Sequence, residues 1–303
     1  MLLADFIREG TRSLGSLYPE NEAHGIVMML CGALLGTKSY THIVEPGTVV
    51  EPRALAALEA AMGRLRDGEP VQYVLGFAEF CGFRFRVTPD VLIPRQETEQ
   101  LVREAVEDAA RLRRMRSPYG RGAAPVRVLD LCTGSGCIAW SVALMAPGTE
   151  VVGVDVSEGA LSVANGQDFS KELSSRGAVR PVFVKADVLD TEQDFPYGPF
   201  DLILSNPPYL TDLERPLMHR NVLENEPGLA LFVPGSDPLL FYSAIARWSV
   251  RFLLPEGRGL TEINERLGGE TEEVFRSSGF HHTLVRKDVF DRNRFVLYSK
   301  NTL

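Results

Sequence analysis

From Val126 onward, short apolar runs alternate with segments of helical periodicity. Strands are predicted at 126–130, 150–155, 181–185 and 200–205, and further ones near 259–263, 283–287 and 295–298. Apolar runs of this kind are typical of parallel strands that helices cover on both faces. Only a short loop separates the last two strands, which predicts an antiparallel closing hairpin. The sequence therefore predicts a doubly wound α/β sheet of seven strands, mostly parallel, with one antiparallel strand.

The first 66 residues carry helical periodicity and no strand signal. Ile26, Val27, Leu30, Ala33 and Leu34 recur at the spacing of one helix face. A further helix is predicted to begin at Glu51-Pro52, because proline suits the first turn, and its apolar stripe continues through Leu55, Leu58, Met62 and Leu65. These patterns predict a small helical domain.

Between the helices and the sheet, residues 77–87 predict a β-hairpin with a turn at Gly82, followed by an extended connector and a helix that begins at Thr98. We therefore expect a helical domain at 1–75, a hairpin and connector at 76–94, and a catalytic domain at 95–303. Residues 111–125 are basic and rich in glycine and proline, which predicts an exposed loop.

The composition narrows the class of protein. The chain has 40 acidic and 32 basic residues and a net charge of −8, whereas proteins that hold a nucleic-acid backbone usually carry a basic excess. No apolar run reaches the ~18 residues of a membrane span, and the start lacks a signal peptide, so we expect a cytoplasmic protein. The cysteines, which we expect to be reduced and mostly buried, form no zinc or disulfide pattern; they are Cys31, Cys81, Cys132 and Cys137.

The strand predicted at 200–205 is followed by Asn206, Pro207, Pro208 and Tyr209. The two prolines remove two N–H donors, so their part of the backbone can only accept hydrogen bonds. The amide oxygen of Asn206 is a further acceptor. Because ligands of α/β sheets bind at the carboxyl ends of strands, we expect a pocket here for a planar –NH2 group.

A second pattern follows the strand predicted at 126–130. Residues 132–136, Cys-Thr-Gly-Ser-Gly, place two glycines where the backbone can approach a nucleotide closely. The patterns that cradle phosphates are missing, which favours a ligand without phosphate. Asp155, at the end of the next strand, can accept hydrogen bonds from both ribose hydroxyls of an adenosine.

Together these motifs resemble those of class I S-adenosylmethionine-dependent methyltransferases that act on amides or exocyclic amines. Three N-terminal motifs narrow the resemblance to the PrmC/HemK family of release-factor glutamine methyltransferases: Gly68-x-Pro70-x-Gln72-Tyr73-x-x-Gly76, Phe80-x-Gly82 and Val91-Leu-Ile-Pro-Arg95-x-Glu97-Thr98-Glu99. The likeness covers nearly the whole chain. It implies methyl transfer to the side-chain amide nitrogen, N5, of the glutamine in the Gly-Gly-Gln motif of class I peptide chain release factors, which the helical domain helps to hold.

The resemblance also implies roles for individual residues. S-adenosylmethionine would be held by Cys132, Thr133, Gly134, Ser135, Gly136, Asp155, Val188 and Asn206. Asp155 would bind the ribose, Val188 would lie near the adenine, and Asn206 would reach the methionine end. The catalytic residues would be Asn206, Pro207, Pro208 and Tyr209, with Tyr209 packed on the substrate amide. No metal is implied.

The sequence departs from the family pattern at three positions. Cys132 and Pro238 stand where glycine is usual, and Gln96 replaces a proline. A positive φ at Cys132 would strain the backbone. Glu224 and Glu226 follow the motif of residues 206–209, and we expect both to be solvated loop carboxylates.

Two other functions remain open from the residues alone. An amino-methyltransferase of adenine or cytosine in DNA or RNA would make the same demand on residues 206–209. A binding module with the same fold and no turnover is the other. The acidic composition disfavours nucleic acid as a substrate or direct partner, and we expect a monomer that does not bind membranes.

Overall fold

The structure, a computed structural model, describes residues 1–116, 124–288 and 290–301. Two compact units cover the chain, namely Met1–Phe77 with Met218–Asn225, and Ala78–Leu217 with Glu226–Leu303. The first unit contains α1 (Leu3–Ser13), α2 (Glu20–Leu35), α3 (Thr41–Val44), α4 (Pro52–Arg66) and α5 (Val71–Leu75). An N-terminal helical region is therefore present, and Pro52 occupies the first turn of α4.

The predicted helix face of α2 is buried only in part. Ile26, Val27 and Leu30 are buried, but Ala33 and Leu34 are exposed. The buried stripe of α2 ends at Cys31, and the last turn of the helix, before the left-handed Gly36, carries side chains beyond the packed part. The periodicity therefore predicted the helix but not the residue at which its burial ends.

The predicted hairpin consists of β1 (Phe77–Phe80) and β2 (Phe83–Arg86). Cys81 and Gly82 form its turn, with φ of 51° and 76°, which matches the two-residue turn with positive φ at both central positions. Along this hairpin Phe83 is half-buried, Phe85 and Val87 are buried, and the alternating Arg84 and Arg86 are exposed.

The sheet of the second unit has the strand order β5-β4-β3-β6-β7-β9-β8. Its strands are β3 (Val126–Leu131), β4 (Thr149–Asp155), β5 (Val182–Lys185), β6 (Phe200–Ser205), β7 (Leu253–Glu262), β8 (His282–Lys287) and β9 (Asn293–Ser299). Strands β3 to β7 pair in parallel, and β9 runs antiparallel to both of its neighbours. The predicted seven-stranded sheet with one antiparallel strand is confirmed. From β3 the chain adds β4 and β5 on one side of the sheet, and β6 and β7 on the other, so the order of the strands reverses between β3 and β6.

Helices cover both faces of this sheet. The helices of the second unit are α6 (Thr98–Arg116), α7 (Cys137–Met145), α8 (Glu158–Asn165), α9 (Ser170–Arg176), α11 (Gly228–Leu231), α12 (Leu240–Phe252) and α13 (Gly268–Ser277), whereas α10 (Arg220–Asn225) is part of the first unit. Val128 and Leu202 pack into one core with α6 and α7, whereas Leu129 and Ile203 pack into another with α12. The alternation along each strand thus builds two buried layers.

The predicted loop at 111–125 is partly helix, because α6 continues to Arg116. Two of the arginines read as loop residues are paired: Arg111 binds Asp108 at 3.3 Å, and Arg116 binds Asp201, which is buried at the start of β6. The basic residues therefore extend a helix that neutralises buried carboxylates. The remainder of that predicted loop, 117–123, lies outside the described residues.

Among the described residues, no helix is long and apolar enough to cross a membrane.

Candidate active site

A cavity of about 460 Å³ lies where the strand order reverses, at the carboxyl ends of β3, β4 and β6. That volume is within the ~300–1,000 Å³ typical of sites that enclose a small molecule. It is lined by Cys132, Thr133, Gly134, Ser135, Asp155, Val188, Asn206 and Pro208, all predicted site residues. Among the described residues, Gly136, Pro207 and Tyr209 were also predicted for the site but do not line this cavity. The crossover point of the sheet thus brings most of the candidates together.

The loop after β3 is tightly held. Asp130, fully buried at the end of β3, accepts hydrogen bonds from the Thr133 hydroxyl at 2.6 Å and from the Ala139 N–H at 3.2 Å. Burial raises the pKa of Asp130 to about 7. A Cβ on Gly136, which has a φ of 77°, would lie 2.9 Å from the ring of Phe183. Only glycine therefore fits this position in the loop.

Cys132 has a φ of 60°, in the left-handed region that side chains with a Cβ rarely adopt. The cysteine lines the cavity, and its side chain packs partly against the apolar core below. The departure from glycine at this position therefore carries backbone strain of about 1–2 kcal/mol. All four cysteines are free; Cys31 and Cys137 are buried, and Cys81 and Cys132 are half-buried.

Asp155 ends β4 and is held by backbone donors. Its Oδ2 accepts from the Gly134 N–H and its Oδ1 from the Ser157 N–H, both at 2.9 Å. Burial raises its pKa, while these donors act in the opposite direction. The carboxylate is thus oriented by its local backbone, with lone pairs left for a ligand in the cavity it lines.

The segment after β5 contributes the predicted Val188 and also Asp187, which the sequence analysis did not predict. Val188 is buried at the cavity wall, and its carbonyl accepts a hydrogen bond from the Trp248 indole at 3.0 Å. Its neighbour Asp187 also lines the cavity and accepts from the Leu189 N–H at 2.9 Å. The residue that was missed is Asp187, and the available signal was an acidic side chain two positions after the end of β5.

Asn206, directly after β6, belongs to a chain of three polar side chains. Its Nδ2 donates to the Thr98 hydroxyl at 3.1 Å, and that hydroxyl donates to Oε2 of Glu262 at 2.6 Å. Thr98 and Glu262 are 2% and 1% exposed, and burial raises the pKa of Glu262 to about 7. Neither residue was singled out for a role at this position.

Tyr209 lies against the core cluster on the α12 face and is half-buried. Burial, followed by the nearby charge of Glu262, raises the pKa of its phenol, which therefore stays protonated at neutral pH. Leu210 next to it forms a parallel bridge with Phe232, which closes the loop between them: the Leu210 N–H donates to the Leu231 carbonyl at 3.0 Å, and the Leu210 carbonyl accepts from the Val233 N–H at 2.9 Å. The far end of this loop, residues 227–235, forms a wall of the cavity.

The prediction that Glu226 is a solvated carboxylate is wrong. Its side chain is 1% exposed and accepts from Arg95 at 2.7 Å and from the Ile93 N–H at 3.2 Å. Glu226 therefore fastens the connector at 91–95 beside the cavity, because burying a carboxylate requires such partners. Glu224, by contrast, is exposed and pairs with Arg220 at 2.7 Å.

Residues 124–231 match the family described as "Methyltransferase domain", and residues 5–76 match "PrmC N-terminal domain". A release factor glutamine methyltransferase from Flavobacterium psychrophilum is 33% identical over 98% of both chains. One from Bacteroides thetaiotaomicron is 36% identical over 94% of this chain and 95% of its own.

A solved structure supports the fold. The hMettl16 catalytic domain, crystallised with the MAT2A 3'UTR hairpin 6, superposes with a TM-score of 0.53 over 83% of both chains. It is 13% identical in sequence, so the likeness concerns the fold alone.

Proposed function

This chain belongs to the family of release factor glutamine methyltransferases, and we propose that it methylates the N5 amide nitrogen of the glutamine in the Gly-Gly-Gln motif of class I peptide chain release factors. The cofactor is S-adenosylmethionine. The observation that carries the proposal is the carboxamide of Asn206 at the wall of the cavity, beside two prolines that offer only acceptors.

The cavity has the chemistry that this cofactor needs. Asp155 would accept from the ribose hydroxyls, because its two oxygens are already held in place by backbone N–H groups. Val188 would pack on the adenine, and Asp187 offers an acceptor for the adenine amino group. The loop of residues 132–136 would follow the methionine part closely. When bound, S-adenosylmethionine supplies an electrophilic methyl group on a sulfonium.

The protein's own residues have to make an amide nitrogen reactive. Its lone pair is delocalised into the carbonyl, so the acceptor must be oriented rather than simply deprotonated. Oδ1 of Asn206 and the carbonyl of Pro207 would accept the two amide hydrogens, which fixes the nitrogen and favours positive charge on its N–H groups as the N–C bond forms. Pro208 would keep this turn stiff, and Tyr209 would contact the amide plane from the core side.

The proton that leaves the nitrogen after transfer goes to solvent in this proposal. Glu226 is excluded as its acceptor because both of its oxygens hold the connector. The described residues contain no group of three or more side chains that could hold a metal ion.

We propose that the helical domain, predicted as residues 1–75, docks the release factor. One glutamine presents few atoms, so specificity requires a wider surface, and protein interfaces usually bury ~1,200–2,000 Å² in total. The proposal also includes a monomer, and a cytoplasmic location, where release factors act.

The test is methyl transfer from labelled S-adenosylmethionine to four substrates: an intact class I release factor, a short Gly-Gly-Gln peptide, DNA and RNA. We expect one added methyl on the glutamine of the intact protein by tandem mass spectrometry, and a much lower kcat/KM for the peptide. Labelled DNA or RNA at a comparable rate would overturn the glutamine assignment. Equal kcat/KM for peptide and protein would remove the docking role.

A further inference from the structure

We propose that Glu262, acting through Thr98, fixes which way the side-chain amide of Asn206 faces, so that Thr98 and Glu262 are positioning residues for methyl transfer. This inference rests on the proposed function, because it concerns the presentation of Asn206 to the substrate amide.

The direction of the hydrogen bonds follows from what each group can do. An ionised carboxylate only accepts, so the single hydrogen of the Thr98 hydroxyl is committed to Glu262 at 2.6 Å. The hydroxyl oxygen is then left with lone pairs alone toward Asn206. It can bind the NH2 end of the amide, at 3.1 Å, and has no hydrogen to offer the oxygen end.

The consequence appears at the other end of Asn206. With Nδ2 held by Thr98, Oδ1 accepts no hydrogen bond from the described residues, and Asn206 lines the cavity. A reversed amide would present donors to the substrate –NH2, which has no acceptor to match them. Glu262 thus makes Asn206 an acceptor, the role that methyl transfer to an amide requires.

The orientation of the Asn206 amide therefore depends on whether Glu262 is ionised. If Glu262 gains a proton it can donate to Thr98, whose hydrogen is then free to bind Oδ1 of a reversed Asn206 amide. The charged groups whose fields reach Glu262 are Arg294, Arg95 and Glu97, and the phenols of Tyr209 and Tyr242 complete its surroundings. Burial raises the pKa of Glu262 to about 7, so the change in orientation is expected near neutral pH.

The first test removes the hydroxyl but keeps the shape of the side chain. We expect Thr98→Val to lower kcat about tenfold, the effect of one lost hydrogen bond on the fraction of correctly oriented Asn206, with the cofactor dissociation constant unchanged. Thr98→Ser should recover kcat to within about twofold. The matched control is Thr283→Val. Thr283 lies on β8, its hydroxyl donates to Glu272 of α13 at 2.8 Å, and its replacement should leave kcat unaltered.

The second test uses a readout that mere structural damage would not move. The kcat of the wild-type protein should fall as the pH is lowered through about 7, and Glu262→Gln should abolish this limb because glutamine does not titrate. A limb of the same midpoint in Glu262→Gln would overturn the proposal. So would a Thr98→Val protein with wild-type kcat.

A third readout does not depend on methyl transfer. In protein labelled with ¹⁵N-asparagine, the side-chain NH2 signal of Asn206, identified by its loss in Asn206→Ala, should shift in Thr98→Val and not in Thr283→Val. An unshifted signal would overturn the orienting chain. A shifted signal in Thr98→Val, together with a wild-type protein that methylates no release factor, would instead overturn the proposed function.

Discussion

Two walls of the cavity are held in place by different kinds of hydrogen bond. We call the side that contains residues 132–135 and Asp155 the cofactor wall, and the side that contains Asn206 and Pro208 the acceptor wall. On the cofactor wall, Asp155 is bound by N–H groups of the backbone, at Gly134 and Ser157, which lie 21 and 2 residues away in the sequence. On the acceptor wall, Asn206 is bound by a side chain 108 residues away, Thr98, which binds Glu262 164 residues further along the chain. Backbone donors persist whatever side chains surround them, whereas a relay of side chains fails when one hydroxyl is lost.

We expect the two walls to affect different steps, namely binding of S-adenosylmethionine and methyl transfer. Changes on the cofactor wall should appear in the affinity for S-adenosylmethionine, and changes on the acceptor wall should appear in kcat.

The largest effect is expected at Asn206. Asn206→Ala should lower kcat by about a hundredfold or more, the typical cost of deleting one preorganised polar partner of a transition state. The measurement is single-turnover methyl transfer to an intact release factor, with thermal unfolding as a check that the fold is retained.

Asn206→Asp sharpens that result. Aspartate keeps acceptor oxygens, but it cannot donate to Thr98, and it places a negative charge beside the sulfonium. We expect it to be nearly as inactive as alanine. Near-normal turnover would show that a neutral, oriented Oδ1 is not the feature that matters.

An intermediate effect is expected at Asp155. Asp155→Ala should weaken S-adenosylmethionine binding about tenfold to a hundredfold, because hydrogen bonds to a charged acceptor contribute ~1.5–3 kcal/mol. Asp155→Asn, which retains one acceptor oxygen, should lose less. Calorimetric titration measures both, and an unaltered dissociation constant in folded Asp155→Ala would remove this residue from the cofactor wall.

The smallest effect is expected at Cys132. With φ at 60°, any residue with a Cβ is strained there, so Cys132→Gly should be more stable than Cys132→Ala by about 1 kcal/mol. Both variants lose the thiol, so their difference isolates the backbone. Chemical denaturation gives the two free energies of unfolding, and a less stable glycine variant would contradict the strain.

The same contrast explains how much the sequence predicted. The sheet, the hairpin and most of the cofactor wall depend on local patterns, such as glycines after β3 and an aspartate at the end of β4, and these patterns can be recognised in a single sequence, although Asp187 was missed. On the acceptor wall, the sequence predicted Asn206 but not the side chains that orient it. The motif at 91–99 pointed to Thr98 as a helix start, but nothing local signals that its hydroxyl binds Glu262 at the end of β7.

Glu226 illustrates the same limit in a loop. An acidic residue between an asparagine and a proline is typical of a solvated turn, and only the tertiary structure brings it to Arg95 and the Ile93 N–H. Likewise, the arginines at the end of α6 are read as a solvated loop until Asp108 and Asp201 are known to be beside them.

The most direct test of the acceptor wall is neutron diffraction from deuterium-exchanged crystals of the protein at a pH well above 7, where Glu262 is ionised. Neutrons distinguish the nitrogen and its deuterons from the oxygen of an amide. The account predicts the deuteron of Thr98 on Glu262, a deuteron of Asn206 Nδ2 on Thr98, and Oδ1 of Asn206 toward the cavity. Deuterons of Asn206 that point into the cavity, with Oδ1 on Thr98, would contradict it.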